Sequence, residues 1–345
     1  MSAEGTVSVI APCRNERAHI DAFCADALAQ QLPPGWRLQL CIADGASDDG
    51  TRERLQALAA ADPRITWIDN PGRIVSCGLN RALAAAQGEV IVRMDIHTSY
   101  AADYVAQCLA ALAETGADNV GGPWVAEPAA GAGAMAQAVA AAFQSPWVAG
   151  GAASRRADHA GWVDTVYLGA WPRATFERFG PFDEALVRNQ DDEHNLRIRR
   201  GGGRIWQSPA IRSRYRPRGS LALVFSQWFQ YGYWKPFVIV KHGQAASLRH
   251  LVPAAFVALL VLTALCRLTG GPAWPLLSLL AAYGLAVLAL TAAVAQPSRL
   301  PWAVAWRVPA VIAAYHLGYG IGAWPGWLDA LRRRPGRTRF GALTR

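Results

Sequence analysis

Four short stretches of this 345-residue chain have residue types and spacing suited to chemistry. The densest is Asn189-Gln190-Asp191-Asp192-Glu193-His194, three carboxylates in succession shortly after Pro181-Phe182-Asp183-Glu184. Such a cluster supplies a general base or holds a metal ion. Beyond it the acid stops: from His194 to Leu328 there is no Asp or Glu but there are 14 Lys and Arg. A long basic segment of this kind grips anionic headgroups or phosphates at a membrane surface. The second stretch is Arg93-Met94-Asp95-Ile96-His97. Residues two apart on an extended segment share a side, so Asp95 and His97 are expected to offer a carboxylate and an imidazole together. That pair suits Mg2+ or Mn2+ held against a diphosphate. The third is Asp44-Gly45-Ala46-Ser47-Asp48-Asp49-Gly50-Thr51. Asp44 there reads as an acceptor for a pyrimidine or ribose, or as part of a helix cap with Asx turns. The fourth, Ala11-Pro12-Cys13-Arg14-Asn15-Glu16, turns the chain over a helix start, where exposed amides and a polar Asn suit a nucleotide.

The elements that must position these residues alternate. Strands are expected at 6–11, 38–43, 65–68 and 89–94, and helices at 17–31, 52–61, 74–87 and 100–115. This β-α alternation predicts an α/β domain with a mostly parallel sheet flanked by helices. In such sheets ligands gather at the C-terminal strand ends, where Pro12, Asn15, Glu16, Asp44 and Asp95 fall. Residues 126–160, rich in Ala, Gly and Ser, give no clear pattern. Residues 221–240 are aromatic and amphipathic and read as an interfacial helix, interrupted near Gly232 and Pro236. Apolar segments follow at 251–268, 274–295 and about 308–328, of which the first two approach the ~20 residues that cross a bilayer. The third, with His316 and several Gly and Trp, is expected to be interfacial or re-entrant. The basic tail, 329–345, is expected to stay cytoplasmic, which requires an even number of crossings. The domain plan is a catalytic domain at 1–220, an interfacial segment at 221–250, membrane helices at 251–328 and the tail.

Composition excludes several classes. The net charge is +9, with 34 Lys and Arg against 25 Asp and Glu. Only Lys235 and Lys241 are lysines, so the basic residues are nearly all Arg. The basic cluster leads into apolar segments, which favours membrane lipids over nucleic acid as partner. Six scattered cysteines have no Cys-x-x-Cys spacing and no zinc pattern, which predicts reduced thiols and a cytoplasmic catalytic part. The first five residues lack a basic start and an apolar core, so no signal peptide is expected.

The ordered set resembles the family 2 glycosyltransferases: Pro-x-x-Asn-Glu, Asp-x-x-Ser-x-Asp-Gly-Thr, Arg-x-Asp-x-His and Gln-Asp-Asp-Glu, with Asn80-Arg81-Ala82-Leu83 and Ala86-Gln87-Gly88-Glu89 between them. Val163-Asp164-Thr165, 187–193 and Tyr215-Arg216-Pro217-Arg218 are similar to the succinoglycan-type exopolysaccharide glucosyltransferases in particular. The resemblance implies a GT-A nucleotide-sugar-binding fold and an inverting, metal-dependent hexosyltransferase at the bacterial inner membrane. It implies that Asp44 contacts the nucleotide, that Asp95 begins the metal motif with His97 where many members carry a second Asp, and that the catalytic base is Asp191 or Asp192. UDP-glucose is the implied donor and a polyprenyl-diphosphate-linked saccharide the implied acceptor. Arg216 and Arg218 are candidates for the lipid diphosphate. Gln230-Tyr231-Gly232-Tyr233-Trp234 is similar to the Gln-x-x-Arg-Trp motif of membrane synthases, which makes Gln230 and Trp234 acceptor candidates; Trp234 reads equally as an aromatic belt residue. The alternatives are a polyprenyl-phosphate glycosyltransferase, a processive synthase, and a non-catalytic membrane scaffold.

Overall fold

A computed structural model describes residues 4–297 and 299–340; the last five residues of the expected tail lie outside that range. The described chain forms two compact units. The first comprises residues up to Val125 together with Arg156–Tyr215, and the second Ala126–Arg155 with the chain from Arg216 onward. The expected catalytic block 1–220 is therefore interrupted, because the uncharacterised stretch 126–160 supplies a helix to the second unit.

In the first unit the strands are β1 (Gly5–Cys13), β2 (Trp36–Asp44), β3 (Ile65–Asp69), β4 (Val90–Arg93), β5 (Thr98–Tyr100), β6 (Asn119–Gly122), β7 (Val125–Ala126), β8 (Gly161–Trp162), β9 (Tyr167–Pro172), β10 (Ile205–Gln207) and β11 (Ser213–Tyr215). The helices in chain order are α1 (Ile20–Leu28), α2 (Thr51–Ala61), α3 (Val75–Ala85), α4 (Tyr104–Thr115), α5 (Ala134–Gln144, in the second unit), α6 (Arg173–Phe179) and α7 (Gln190–Arg200). Eight strands form one sheet in the order β3-β2-β1-β4-β9-β6-β10-β8, and β5-β11-β7 form a second. β3, β2, β1 and β4 run parallel, while β9 is antiparallel to both its neighbours. Strand period sets the two cores. Val7, Val9 and Ala11 of β1 join one apolar cluster with Ile20, Phe23 and Leu109, whereas Ile10 joins the other with Leu79 and Phe176. The chain leaves β1 towards β2 and β3 and later returns to β4 on β1's other side. The C-terminal ends of β1 and β4 thus flank a topological switch point, where open α/β sheets bind ligands. One expected boundary moves. Residues 98–100 are strand rather than the start of a helix, because Ser213–Tyr215 pairs with them antiparallel.

The second unit is built on α8 (Leu221–His242), α9 (Val252–Leu268), α10 (Trp274–Ala295), α11 (Trp302–Ala305), α12 (Val308–Leu331) and α13 (Arg337–Phe340). α8 runs unbroken through Gly232 and Pro236, against the expected interruption. α12 lies backbone to backbone against α8. A Cβ added to Gly322 would stand 2.1 Å from the Phe229 carbonyl oxygen, one at Gly326 2.2 Å from that of Tyr233, and one at Gly232 2.1 Å from that of Tyr319. Spacing of four puts Gly318, Gly322 and Gly326 on one helix face. Gly322→Ala is accordingly expected to destabilise the second unit by about 1–3 kcal/mol through overpacking, read as a lower midpoint of thermal unfolding in detergent; an unchanged midpoint would contradict the close approach. α9 and α10 differ from α12. Segments Leu248–Leu268 and Trp274–Ala295 are long and apolar enough to cross a membrane, with mean hydropathies of 2.3 and 2.2, and they leave Leu262, Leu265, Leu277 and Leu285 exposed.

Candidate active site

The loop after β1 is stitched to the loop after β2. Asn15, at φ 53°, donates from Nδ2 to Asp48 (2.8 Å) and accepts the Asp48 amide at Oδ1 (3.0 Å). The Asn15 amide donates to Ser47 Oγ and the Glu16 amide to Thr51 Oγ1, both at 2.8 Å. The two motifs are therefore one physical unit. Pro12 closes β1 half-buried beside Gly78. Asp44 is fully buried, and its oxygens accept from Ser47 and from Arg52 Nε (2.9 Å). Arg52 also pairs with Asp69. Of the two sequence readings of Asp44, this geometry favours the one in which it shapes its loop. Both of its oxygens already accept hydrogen bonds within the protein, so the nucleotide contact implied by the resemblance would share them with Ser47 and Arg52.

At the end of β4 the geometry changes the expectation for Asp95 and His97. Residues 95–98 form a turn, closed by the Thr98 amide donating to the Asp95 carbonyl at 3.1 Å. The Tyr100 hydroxyl accepts the Asp95 amide at 2.6 Å. The segment is not extended, so the shared-side argument fails and the two side chains find different partners. Asp95 accepts from Arg93 Nε and Nη2, both at 2.8 Å, and stays 30% exposed. His97 Nε2 lies 2.8–2.9 Å from the oxygens of Glu16. The His19 and His97 rings meet edge to face at 4.9 Å.

Arg93 is the residue the sequence reading passed over. It is 6% exposed, and its Nη1 has no hydrogen-bond partner among the described residues. Burial alone would lower its pKa. Burial is the largest single influence, but the Asp95 charge and its hydrogen bonds, with Asp191 and Tyr167 adding to them, together outweigh it, so the guanidinium is held charged. Burial, then the Asp95 charge, pushes the Tyr100 and Tyr167 phenols well above their usual range. Both therefore stay protonated, and Tyr167 OH lies 2.9 Å from Thr98 Oγ1. Asp191 and Asp192 are half-buried in the first turn of α7, after Asn189 in the left-handed region at φ 62°. Asp191 Oδ1 accepts the Asp192 amide at 2.8 Å. Glu193 and His194 are fully buried and structural: Glu193 pairs with Arg197 at 2.8 Å, and His194 stacks on Phe176.

The model of glycosyl transferase family 2 matches residues 8–139. The succinoglycan biosynthesis protein ExoA of Rhizobium meliloti is 32% identical over 327 residues, 94% of this chain and 96% of that protein. The chain belongs to the family 2 glycosyltransferases. The mannosyltransferase PcManGT from Pyrobaculum calidifontis, solved with GDP-Man and Mn2+, superposes at a TM-score of 0.58 with 21% identity, covering 92% of this chain and 87% of its own. S. aureus TarS 1-349, solved with UDP, superposes at 0.50 with 13% identity over 91% and 90%. Both likenesses are of fold, and they agree with the GT-A architecture derived above.

In this glycosyltransferase the expected acceptor residues fall in the second unit and divide. Arg216 is exposed and Arg218 half-buried. Trp234 is 1% exposed, its ring packed on Tyr233 and Phe237, and Gln230 is 5% exposed. The expected stacking of Trp234 on an acceptor sugar is thus corrected: its ring is spent inside the second unit, on Tyr233 and Phe237 of α8 and against Gly336 beyond α12.

Proposed function

We propose that the enzyme moves a hexose, glucose from UDP-glucose, to a polyprenyl-diphosphate-linked saccharide at the cytoplasmic face of the bacterial inner membrane, with inversion to a β-linkage, in exopolysaccharide synthesis. The observation that carries this reading is Arg93, which binds the Asp95 carboxylate and lies within electrostatic reach of Asp191. One buried cation thus ties the end of β4 to the start of α7. Asp191, rather than Asp192, is the base that takes the proton from the acceptor hydroxyl as that oxygen attacks the anomeric carbon. A single in-line displacement needs no covalent sugar intermediate, so the configuration inverts. Asn15, Glu16 and the loop clamped by Asp44 form the nucleotide side, with Pro12 bounding it.

The donor set fits a divalent ion. Asp95 is part exposed with both oxygens fixed by Arg93, and His97 is 58% exposed and adds an imidazole nitrogen. A mixed carboxylate–imidazole set favours Mn2+ over Mg2+. When bound, such an ion neutralises the leaving nucleoside diphosphate. Asp95 would hold it, and His97 would join by turning from Glu16.

Membrane attachment is supported by the α9–α10 hairpin. Arg267 is the only charge near its turn, while Arg249, Arg299 and Arg307 lie beyond its open end. By the positive-inside rule the open end, and with it the catalytic unit, is cytoplasmic. Arg216 and Arg218 take the lipid diphosphate.

The test is transfer by the purified full-length chain, given a panel of nucleotide sugars, Mn2+ and a bacterial membrane-lipid extract, with the anomer assigned by NMR. Glucosylated lipid with a β-linkage is expected. Transfer with retention, or hydrolysis of every donor without transfer, would overturn the reading.

A further inference from the structure

We infer that Glu16, His19 and His97 form a binding site for one zinc-class divalent ion, distinct from the Asp95 carboxylate, and that filling it withdraws His97 from donor loading. One carboxylate oxygen and two imidazole nitrogens from these residues lie within 4.8 Å of one another. They come from both sides of the sheet's switch point. Glu16 and His19 follow β1, and His97 follows β4. Local backbone geometry makes the first pair: the His19 and Ile20 amides both donate to the Glu16 carbonyl, at 2.8 and 2.9 Å, so the turn that starts α1 brings His19 back over Glu16. The 95–98 turn delivers His97 to the same carboxylate.

The rigidity is divided in a way that suits a metal site. Glu16 is 8% exposed, and its backbone is pinned by the hydrogen bond its amide N–H donates to Thr51 Oγ1. His19 and His97 are exposed and can rotate. Zinc bonds to N and O of about 2.0–2.2 Å require ligand atoms about 3.4 Å apart in a tetrahedron, so a small rotation of the two imidazoles closes the set. Three protein ligands leave the fourth position to water. Two nitrogens in the set favour Zn2+ over Mn2+, and Mg2+ least. An ion pair of Glu16 with His97 accounts for two of the three residues, and among the described residues the His19 ring is otherwise held only by its edge-to-face contact with the His97 ring. Asp95 is engaged by Arg93 and lies outside this set. His97 therefore serves one site or the other, and zinc and the loading ion compete for it. The competition rests on the function proposed above, whereas the zinc site does not.

The experiment titrates Zn2+ into the metal-stripped full-length chain by calorimetry, with Co2+ substitution to read the visible band of a four-coordinate site. Cys266→Ser is used as background, because Cys266 is exposed and the other five cysteines are buried. One equivalent of Zn2+ is expected to bind. His19→Ala, an exposed change that leaves the Glu16–His97 pair intact, should weaken binding at least tenfold and abolish the Co2+ band. Equal zinc affinity with and without His19, or no stoichiometric binding, overturns the site. In the transfer assay, Zn2+ at site-filling concentration should lower Mn2+-supported transfer several-fold in the parent and not in His19→Ala. Zinc bound through His19 with undiminished transfer overturns the competition. If Mn2+ alone supports no transfer in the parent, the proposed function has failed, and the calorimetric titration still decides the site.

Discussion

Asp191→Asn is expected to lower sugar transfer by a factor of about 10²–10⁴, the range for loss of a positioned general base, while nucleotide-sugar binding stays essentially unchanged. The substitution is nearly isosteric. Asn keeps an oxygen that can accept the Asp192 amide, as Asp191 Oδ1 does at 2.8 Å, so the first turn of α7 should survive. What disappears is the lone charge able to receive a proton. Asp191 is chosen because the field of the buried Arg93 reaches it, and Arg93 also fixes Asp95. Asp192→Asn should therefore cost much less. Single-turnover transfer alongside calorimetric donor binding reads both quantities. An inactive Asp192→Asn beside an active Asp191→Asn would move the base by one position and break the link through Arg93.

Much of this site was legible because its parts are local. β1 to β4 and the helices between them follow from hydrophobic period, and they put Asn15, Glu16, Asp44 and Asp95 at strand ends. What was not legible depends on contacts distant in sequence or on backbone detail. Burial of Asp44 under Arg52 required the 44–51 loop to fold back on itself. The Asp95–His97 pairing failed because a turn, locked by Tyr100, replaced an extended segment. Trp234 looked accessible on a helix taken as interfacial, but its ring packs on Tyr233 and Phe237 and against Gly336, a residue about a hundred positions on. The same packing bears on a chain ended near Gly243: it would strip α12 from α8 and expose Trp228, Tyr233 and Trp234. Arg93 did carry a signal, a charged side chain closing a run of Val-Ile-Val in an interior strand. A cation in that setting needs a buried partner, and Asp95 two residues on is that partner.

Asp95→Ala is expected to abolish Mn2+-dependent donor binding and also to destabilise the first unit, two effects that can be separated. The Arg93 guanidinium is buried, with two of its nitrogens satisfied by Asp95 and the third without a partner among the described residues. Deleting the carboxylate leaves a buried charge without its pair, which costs about 3 kcal/mol, the lower end of the range for broken buried pairs. The lower end applies because Asp95 is itself 30% exposed and water can reach the gap. Arg93→Leu combined with Asp95→Ala removes the stranded charge and should recover most of the lost stability. It cannot restore the metal-binding carboxylate. The double variant should thus unfold near the parent's midpoint yet bind nucleotide sugar no more tightly with Mn2+ than with chelator. Thermal unfolding and calorimetry of the parent, the single and the double variant give the full comparison. Metal-dependent donor binding in the recovered double variant would place the ion on other residues and leave Asp95 only as the counter-charge of Arg93.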